Sequence, residues 1–123
     1  VTSSNDFPGV NSFGLTYKGG VTDALIMHLN SSLTQVYWSA LLGGSAADAS
    51  HTIKLNDAGD VWVAGGSNSS DFPTTAGVYQ SALAGNADGW MAKLKADGSE
   101  IMVSSFTGTA QYNQVYFIDL DLD

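Results

Sequence analysis

Ser69-Ser70-Asp71-Phe72-Pro73 repeats Ser4-Asn5-Asp6-Phe7-Pro8 at an offset of 65 residues and without a gap. The same offset relates Gly20 to Gly85, Asp23 to Asp88, Leu29 to Leu94, Ser39 to Ser104, Gly43 to Gly108, Ile53 to Ile118 and Leu55 to Leu120. A fixed period of this size is typical of a repeat architecture, in which one supersecondary unit is copied and stacked. The sequence therefore divides into a first repeat at residues 1–65 and a second, incomplete repeat at residues 66–123.

The chain holds slightly less than two repeats in its 123 residues. The strand predicted within residues 59–65 has no counterpart after Asp123. We therefore expect the chain to be a piece of a longer polypeptide, and the alternative is a complete short protein that assembles with itself.

The composition is acidic but low in charge. Four Lys and Arg residues against 12 Asp and Glu residues give a net charge of −8, and charged residues make up only 13% of the chain. Nucleic acids and anionic membrane surfaces are bound by clustered Lys and Arg, so neither is an expected partner. No run approaches the ~18 apolar residues of a transmembrane helix, so no membrane insertion is expected. Cysteine is absent, so no disulfide supports the fold.

Apolar stretches of strand length dominate the sequence. Alternating or nearly continuous apolar residues predict strands at residues 23–29, 35–42, 52–55, 61–64, 89–94, 100–106 and 115–122. Residues 56–60 (NDAGD) and 95–99 (KADGS) have the Asn, Asp and Gly of hairpin turns. The one helix candidate, residues 75–83, contains Gly77 and is predicted to be a loop. We expect an all-β protein.

Each full repeat supplies four short antiparallel strands with apolar residues on both faces, so each sheet must be covered on both sides. Stacked four-stranded sheets at this period predict β-propeller blades, whose boundaries need not coincide with those of the repeats. A β-solenoid usually has coils of roughly 20–30 residues, and a two-sheet sandwich needs no internal repeat. Two repeats do not close a ring, so we expect contacts with further blades of the same polypeptide or with copies of the chain.

The second repeat resembles the SBBP repeat family, named for a seven-bladed β-propeller. The resemblance rests on Ser-Ser-Asp-Phe-Pro-Thr-Thr at residues 69–75 and continues through residues 76–80, 85–94 and 96–99. The first repeat matches at residues 41–45 and 57–65 and departs at residues 9–18. The resemblance implies a large extracellular or cell-surface protein of bacteria or archaea, with no catalytic residues to transfer. In some bacteria it implies cargo of a type IX secretion system.

Several aspartates recur once per repeat: Asp6-Phe7-Pro8 with Asp71-Phe72-Pro73, and Asp23 with Asp88. A feature needed in every repeat is explained by the construction of the repeat. Asp can bond to backbone N–H groups, Phe can insert between blades and Pro fixes φ in the connection. We interpret these residues as a structural motif rather than as ligands.

Three acidic residues alternate near the C-terminal end of the sequence: Asp119, Asp121 and Asp123. In a strand they would share one face and could bind Ca²⁺. The matching positions in the first repeat are not acidic (Lys54, Asn56, Ala58), so a solvated edge is the preferred interpretation. His28 and His51 have no partners at metal-ligand spacing. No metal and no cofactor are predicted. Asn30 and Asn68 begin glycosylation sequons.

The function that follows is a non-enzymatic structural or adhesive module of a secreted or cell-surface protein. One alternative is a propeller that binds a glycan or a protein at its loop face, which would depend on loop residues such as Tyr79 and Gln80. Others are an enzyme whose catalytic residues lie in other blades and a cargo of a type IX-like secretion system.

Overall fold

A computed structural model describes residues 1–12 and 15–121 of the chain. Its strands are β1 (Ala24–Leu29), β2 (Val36–Leu42), β3 (Asp48–Leu55), β4 (Val61–Ser67), β5 (Asp88–Leu94) and β6 (Ile101–Thr107). They form a two-stranded sheet, β1–β2, and a four-stranded sheet with the order β3-β4-β5-β6, both antiparallel. The described residues contain no helix, which confirms the all-β prediction. In particular, no helix in this part of the chain has the length and apolar character needed to cross a membrane.

Glycine closes the two predicted hairpin turns of the four-stranded sheet. Between β3 and β4, the N–H of Gly59 donates to the carbonyl of Asn56 at 2.9 Å, and Gly59 has φ 82°. Between β5 and β6, the N–H of Gly98 donates to the carbonyl of Lys95 at 2.9 Å, with φ 72° at Gly98. Side chains disfavour these φ values, so glycine suits both turns.

The 65-residue offset relates backbone contacts as well as sequence. β5 and β6 are the counterparts of β1 and β2. The N–H of Asp48 donates to the carbonyl of Thr22 at 2.7 Å, and the N–H of the counterpart Asn113 donates to the carbonyl of Ala87 at 2.8 Å. The four-stranded sheet takes two strands from before the long 68–87 connection and two from after it, so it spans the repeat boundary at residues 65 and 66.

One core lies between the two sheets. The large apolar side chains that form it are Ile26, Trp38 and Leu42 from β1–β2 and Val63, Trp90, Leu94 and Phe106 from the four-stranded sheet. The indole N–H of Trp38 donates to the carbonyl of Ala96 at 3.0 Å and ties the sheets together. The two-stranded sheet does not cover the whole face of the four-stranded sheet. On β3, Ile53 and Leu55 remain 52% and 64% exposed.

The predicted strand at residues 115–122 is wrong for its described part, because residues 113–121 have no strand structure. The counterpart β3 is held by its ladder to β4. The C-terminal segment forms no ladder with another strand among the described residues, although the N–H of Val115 donates to the carbonyl of Gly65 on β4 at 3.1 Å. The segment crosses the sheet where Gly66 and Gly89 leave room for Gln114 and Val115. Leu122 lies outside the described residues.

Candidate functional site

Three aspartates lie close to the connection between β2 and β3, and we call them the acidic cluster: Asp23, Asp48 and Asp71. Asp23 and Asp48 are buried, with 0% and 1% exposure. Gly43 lies between them, because a Cβ at this position would be 2.5 Å from Oδ1 of Asp23 and 2.9 Å from Oδ2 of Asp48. The absence of a side chain at Gly43 is therefore what allows both carboxylates to approach the same backbone.

Asp48 and Asp71 fix the β2–β3 connection. The N–H of Gly44 donates to Oδ2 of Asp48 at 2.8 Å, and the hydroxyl of Ser69 donates to the same oxygen at 2.7 Å. The N–H of Ser45 donates to Oδ1 of Asp71 at 2.8 Å. Carboxylates that accept backbone N–H groups in this way give a loop a defined conformation. Asp71, from the second Asp-Phe-Pro motif, thus holds a loop that is distant in sequence.

Asp23 and Asp88 occupy equivalent buried positions in the two repeats. The N–H of Lys18 donates to Asp23 at 2.8 Å, and the N–H of Ala84 donates to Asp88 at 2.7 Å. The side-chain amide of Gln80 donates a second hydrogen bond to Asp88, at 2.8 Å. Both aspartates therefore tie the start of a strand to the loop that precedes it.

Burial disfavours the ionised form of Asp23 and Asp48, the two buried carboxylates of the acidic cluster. It raises the pKa of Asp23 and of Asp48 above the ordinary value of 3.8, despite the hydrogen bonds that each accepts. One oxygen of each has no hydrogen-bond partner among the described residues. At the surface, hydrogen bonds from Ser45 lower the pKa of Asp71. At neutral pH the buried charges therefore work against folding.

We expect Asp48→Asn to raise stability at pH 7 more than at pH 4. The native pKa of Asp48 lies above 3.8, so between the two values the folded state binds more protons, and the free energy of unfolding falls as pH rises through that interval. The side-chain amide of asparagine does not ionise in this range, so the variant does not lose this stability as the pH rises. It also fits the position, because the counterpart Asn113 accepts the N–H of Thr109 at 2.7 Å.

Urea unfolding of the Asp48→Asn variant at the two pH values measures this effect. Asp57→Asn, at an exposed turn position, removes the same charge from the chain and should leave the curves nearly unchanged. An equal change for Asp48→Asn at pH 4 and pH 7 would contradict an ionised, buried Asp48.

The acidic residues near the C-terminal end do not form a calcium site in the described part of the chain. Asp119 is exposed and lies 3.4 Å from Nζ of Lys54. Asp121 is also exposed, and Asp123 lies outside the described residues. Because residues 115–121 are not a strand, alternation does not place their carboxylates on one face. Within residues 1–12 and 15–121, no group of three or more His, Cys, Asp or Glu side chains could hold a metal ion.

The two histidines make ring contacts. His28, on β1, meets Tyr37 edge-on with ring centroids 5.0 Å apart. His51, on β3, stacks on Tyr116 at 4.8 Å, and its Nε2 lies 2.7 Å from Oε1 of Gln114. His51 therefore helps to hold the C-terminal segment against β3.

The two copies of the Asp-Phe-Pro motif have different surroundings. Phe72 is buried, with its ring 4.8 Å from that of Trp90 and 5.6 Å from that of Phe106. Pro73 beside it is half-buried. In the first copy, Phe7 is only half-buried, Pro8 is exposed, and Asp6 is exposed and accepts a hydrogen bond from Ser4 of its own segment. Only the second copy thus contributes to the core between the sheets.

An apolar groove of about 740 Å³ lies between the β1–β2 hairpin and β3. Met27 and Leu29 line it from β1, and Ile53 and Leu55 line it from β3. Its volume is in the range of small-molecule pockets, and its lining is of the kind that excludes water on binding. Sequence reasoning missed the groove, because it results from the unequal number of strands in the two sheets.

The two loop residues proposed for ligand binding, Tyr79 and Gln80, differ in how firmly the rest of the structure holds their side chains. Tyr79 is 90% exposed. Gln80 is part of the scaffold: its side chain donates to Asp88 and to the carbonyl of Ala82, both at 2.8 Å, and accepts the N–H of Gly108 at 2.9 Å. A change at Gln80 would therefore disturb the structure, and only Tyr79 could test binding at this loop.

Comparisons of the chain with protein-family models, with curated proteins and with solved structures found no match.

Proposed function

We propose that the chain is a non-enzymatic structural or adhesive module of β-propeller type, in a secreted or cell-surface protein. The observation that carries the proposal is the recurrence of one hydrogen-bonded unit at the 65-residue offset. Asp48 and Asn113 make equivalent backbone bonds, and buried Asp23 and Asp88 each lie against a glycine, Gly43 or Gly108. Units of this kind contact their neighbours and gain stability from each shared interface.

The outer face of the four-stranded sheet supports further stacking. Met91 on β5 is 39% exposed, whereas its counterpart in the first repeat, Ile26, is buried in the core. Val103 on β6 is 36% exposed, and its counterpart Trp38 is buried. The outer face thus carries apolar side chains at the positions through which the first repeat packs on a neighbouring sheet. A further blade on this face would extend the same stack.

The resemblance to SBBP repeats supports an extracellular location and is compatible with a type IX-like secretion cargo. The net charge of −8 supports partners other than nucleic acid. Exposed Tyr79 is the observation that favours the second candidate function, binding of a glycan or a protein at the loop face.

The proposal is tested by adding repeats. When residues 59–123 are joined again after Asp123, the 65-residue period continues, and we expect the free energy of unfolding to rise by about 2 kcal/mol or more, because the outer face becomes an interface that buries several large apolar side chains. The measurement is urea unfolding followed by tryptophan fluorescence.

A matched control carries the same added residues behind a flexible Gly/Ser linker of about 20 residues, which prevents a shared blade. An unchanged unfolding midpoint in the directly joined protein would contradict the module. Hydrolysis of a glycan or a peptide by the purified chain would contradict its non-enzymatic character.

A further inference from the structure

Among the residues that the structure describes, one edge of β1 forms no ladder with another strand. The N–H and carbonyl of Asp23 both bond to Thr2, at 2.8 and 2.9 Å, on the side of the chain away from β2. Backbone groups alternate in direction along a strand, so those of Leu25 and Met27 point to the same side. Among the described residues, the backbone groups of Met27 on this side have no strand to pair with.

The second repeat shows what this edge can pair with. Thr2 and Asp23 are the counterparts of Ser67 and Asp88, the last rung of the β4–β5 ladder. β5 pairs with β4 along its whole length, whereas β1 has only the equivalent of this one pair, between Thr2 and Asp23. The β1–β2 ladder has an irregularity at His28 and Leu29, but β5–β6 has one at the equivalent place and β5 still pairs with β4 on its other side.

The apolar groove continues from this edge. A strand added beside β1 would extend the two-stranded sheet over β3, where Ile53 and Leu55 are uncovered. Natural sheet edges are usually protected by Lys, Pro or an inward charge, and the Leu-Ile-Met stretch at residues 25–27 has none of these. The edge and the groove therefore form one continuous surface that suits an apolar strand.

We propose that the β1 edge and the apolar groove bind a β-hairpin of the β3–β4 type from another repeat of this kind, which a second copy of the chain can supply. The proposal rests on the module function above and names the surface and the partner. The β4–β5 ladder sets the register: Val61 of the hairpin opposite Leu29, Val63 opposite Met27 and Gly65 opposite Leu25. In this register Ala64 and Trp62 lie opposite Ile26 and His28, on the face of β1 that is turned towards the four-stranded sheet, so the side chain of Trp62 would enter the groove.

The probe is a synthetic peptide of residues 46–68, added to the full, isotope-labelled chain. NMR should show at least a tenfold slower hydrogen exchange of the Leu25 and Met27 amides and a shifted indole signal of Trp38, which lines the groove. The control peptide carries Val63→Pro, which removes a ladder donor at the centre of the strand and should not protect these amides.

Two exposed positions give matched variants of the chain. Leu55→Asp places a charge in the groove and should weaken peptide binding at least tenfold, whereas Met102→Asp, on β6 and outside the groove lining, should leave it unchanged. Equal weakening by both variants, or peptide-induced shifts at Met91 and Val103 without protection of β1, would overturn the proposal. If the directly joined repeat raises the free energy of unfolding but the peptide does not protect the amides of β1, the proposed binding site is refuted and the module function is not. If both experiments fail, the module function is refuted as well.

Discussion

Phe72→Ala is expected to lower the free energy of unfolding by about 3–5 kcal/mol, the range found for truncated buried phenylalanines. Phe72 is 4% exposed and contacts the rings of Trp90 and Phe106, so alanine leaves a cavity that two rigid aromatic neighbours cannot fill. A domain of this size is stabilised by only about 5–15 kcal/mol in total. The loss is measured by urea unfolding, and the near-UV circular dichroism of the tryptophans reports the loosened core.

Phe7→Ala is the matched control, because Phe7 is the counterpart of Phe72 in the first repeat. Phe7 is half-buried in a small pocket beside Leu15 and Leu41, so we expect a loss of about 1 kcal/mol. Similar losses for the two variants would contradict the unequal packing of the two motifs, and would mean that each Asp-Phe-Pro motif stabilises its own repeat to the same extent.

The strands were predictable where the sequence alternates and where a partner strand is present. β3 begins at Asp48, four residues before the predicted start. Residues 48–51 lack the apolar pattern that would predict a strand, and residues 48–50 are held in β3 by pairing with residues 65–67 of β4. Residues 115–121 have the apolar pattern but lack the partner, so they form no strand. Hydrogen-bond pairing between distant segments decided both cases, and a single sequence does not show it.

The acidic cluster was only partly predictable. Asp23 and Asp71 were identified because they recur at the offset, whereas Asp48 was missed because its counterpart is Asn113. Nothing in the spacing of Asp23 and Asp48 shows that both reach Gly43, since this contact depends on how β2 leads into β3. The apolar groove was unpredictable for a related reason: it depends on which strands stack, and not on any local pattern.

Gly65→Ala is expected to separate β3 from β4 and to cost about 3 kcal/mol or more. A Cβ at position 65 would overlap the carbonyl oxygen of Ala49, far inside van der Waals contact. This oxygen belongs to the backbone of β3, so no side-chain rotation relieves the overlap, and overpacking of this kind is at the costly end of its range. The β3–β4 register also shifts between Ser50 and Thr52, where glycine commonly accommodates a bulge.

Gly77→Ala separates this steric effect from the general cost of replacing glycine. Gly77 has φ 76° but no atom within 4 Å of an added Cβ, so alanine there should cost only about 1 kcal/mol, from backbone conformation alone. Hydrogen exchange distinguishes the variants further: Gly65→Ala should expose the amides of β3 while those of β5 and β6 stay protected. A Gly65→Ala variant with the small loss of Gly77→Ala and a protected β3 would contradict the close approach of the two strands, and with it the packing that sets one wall of the apolar groove.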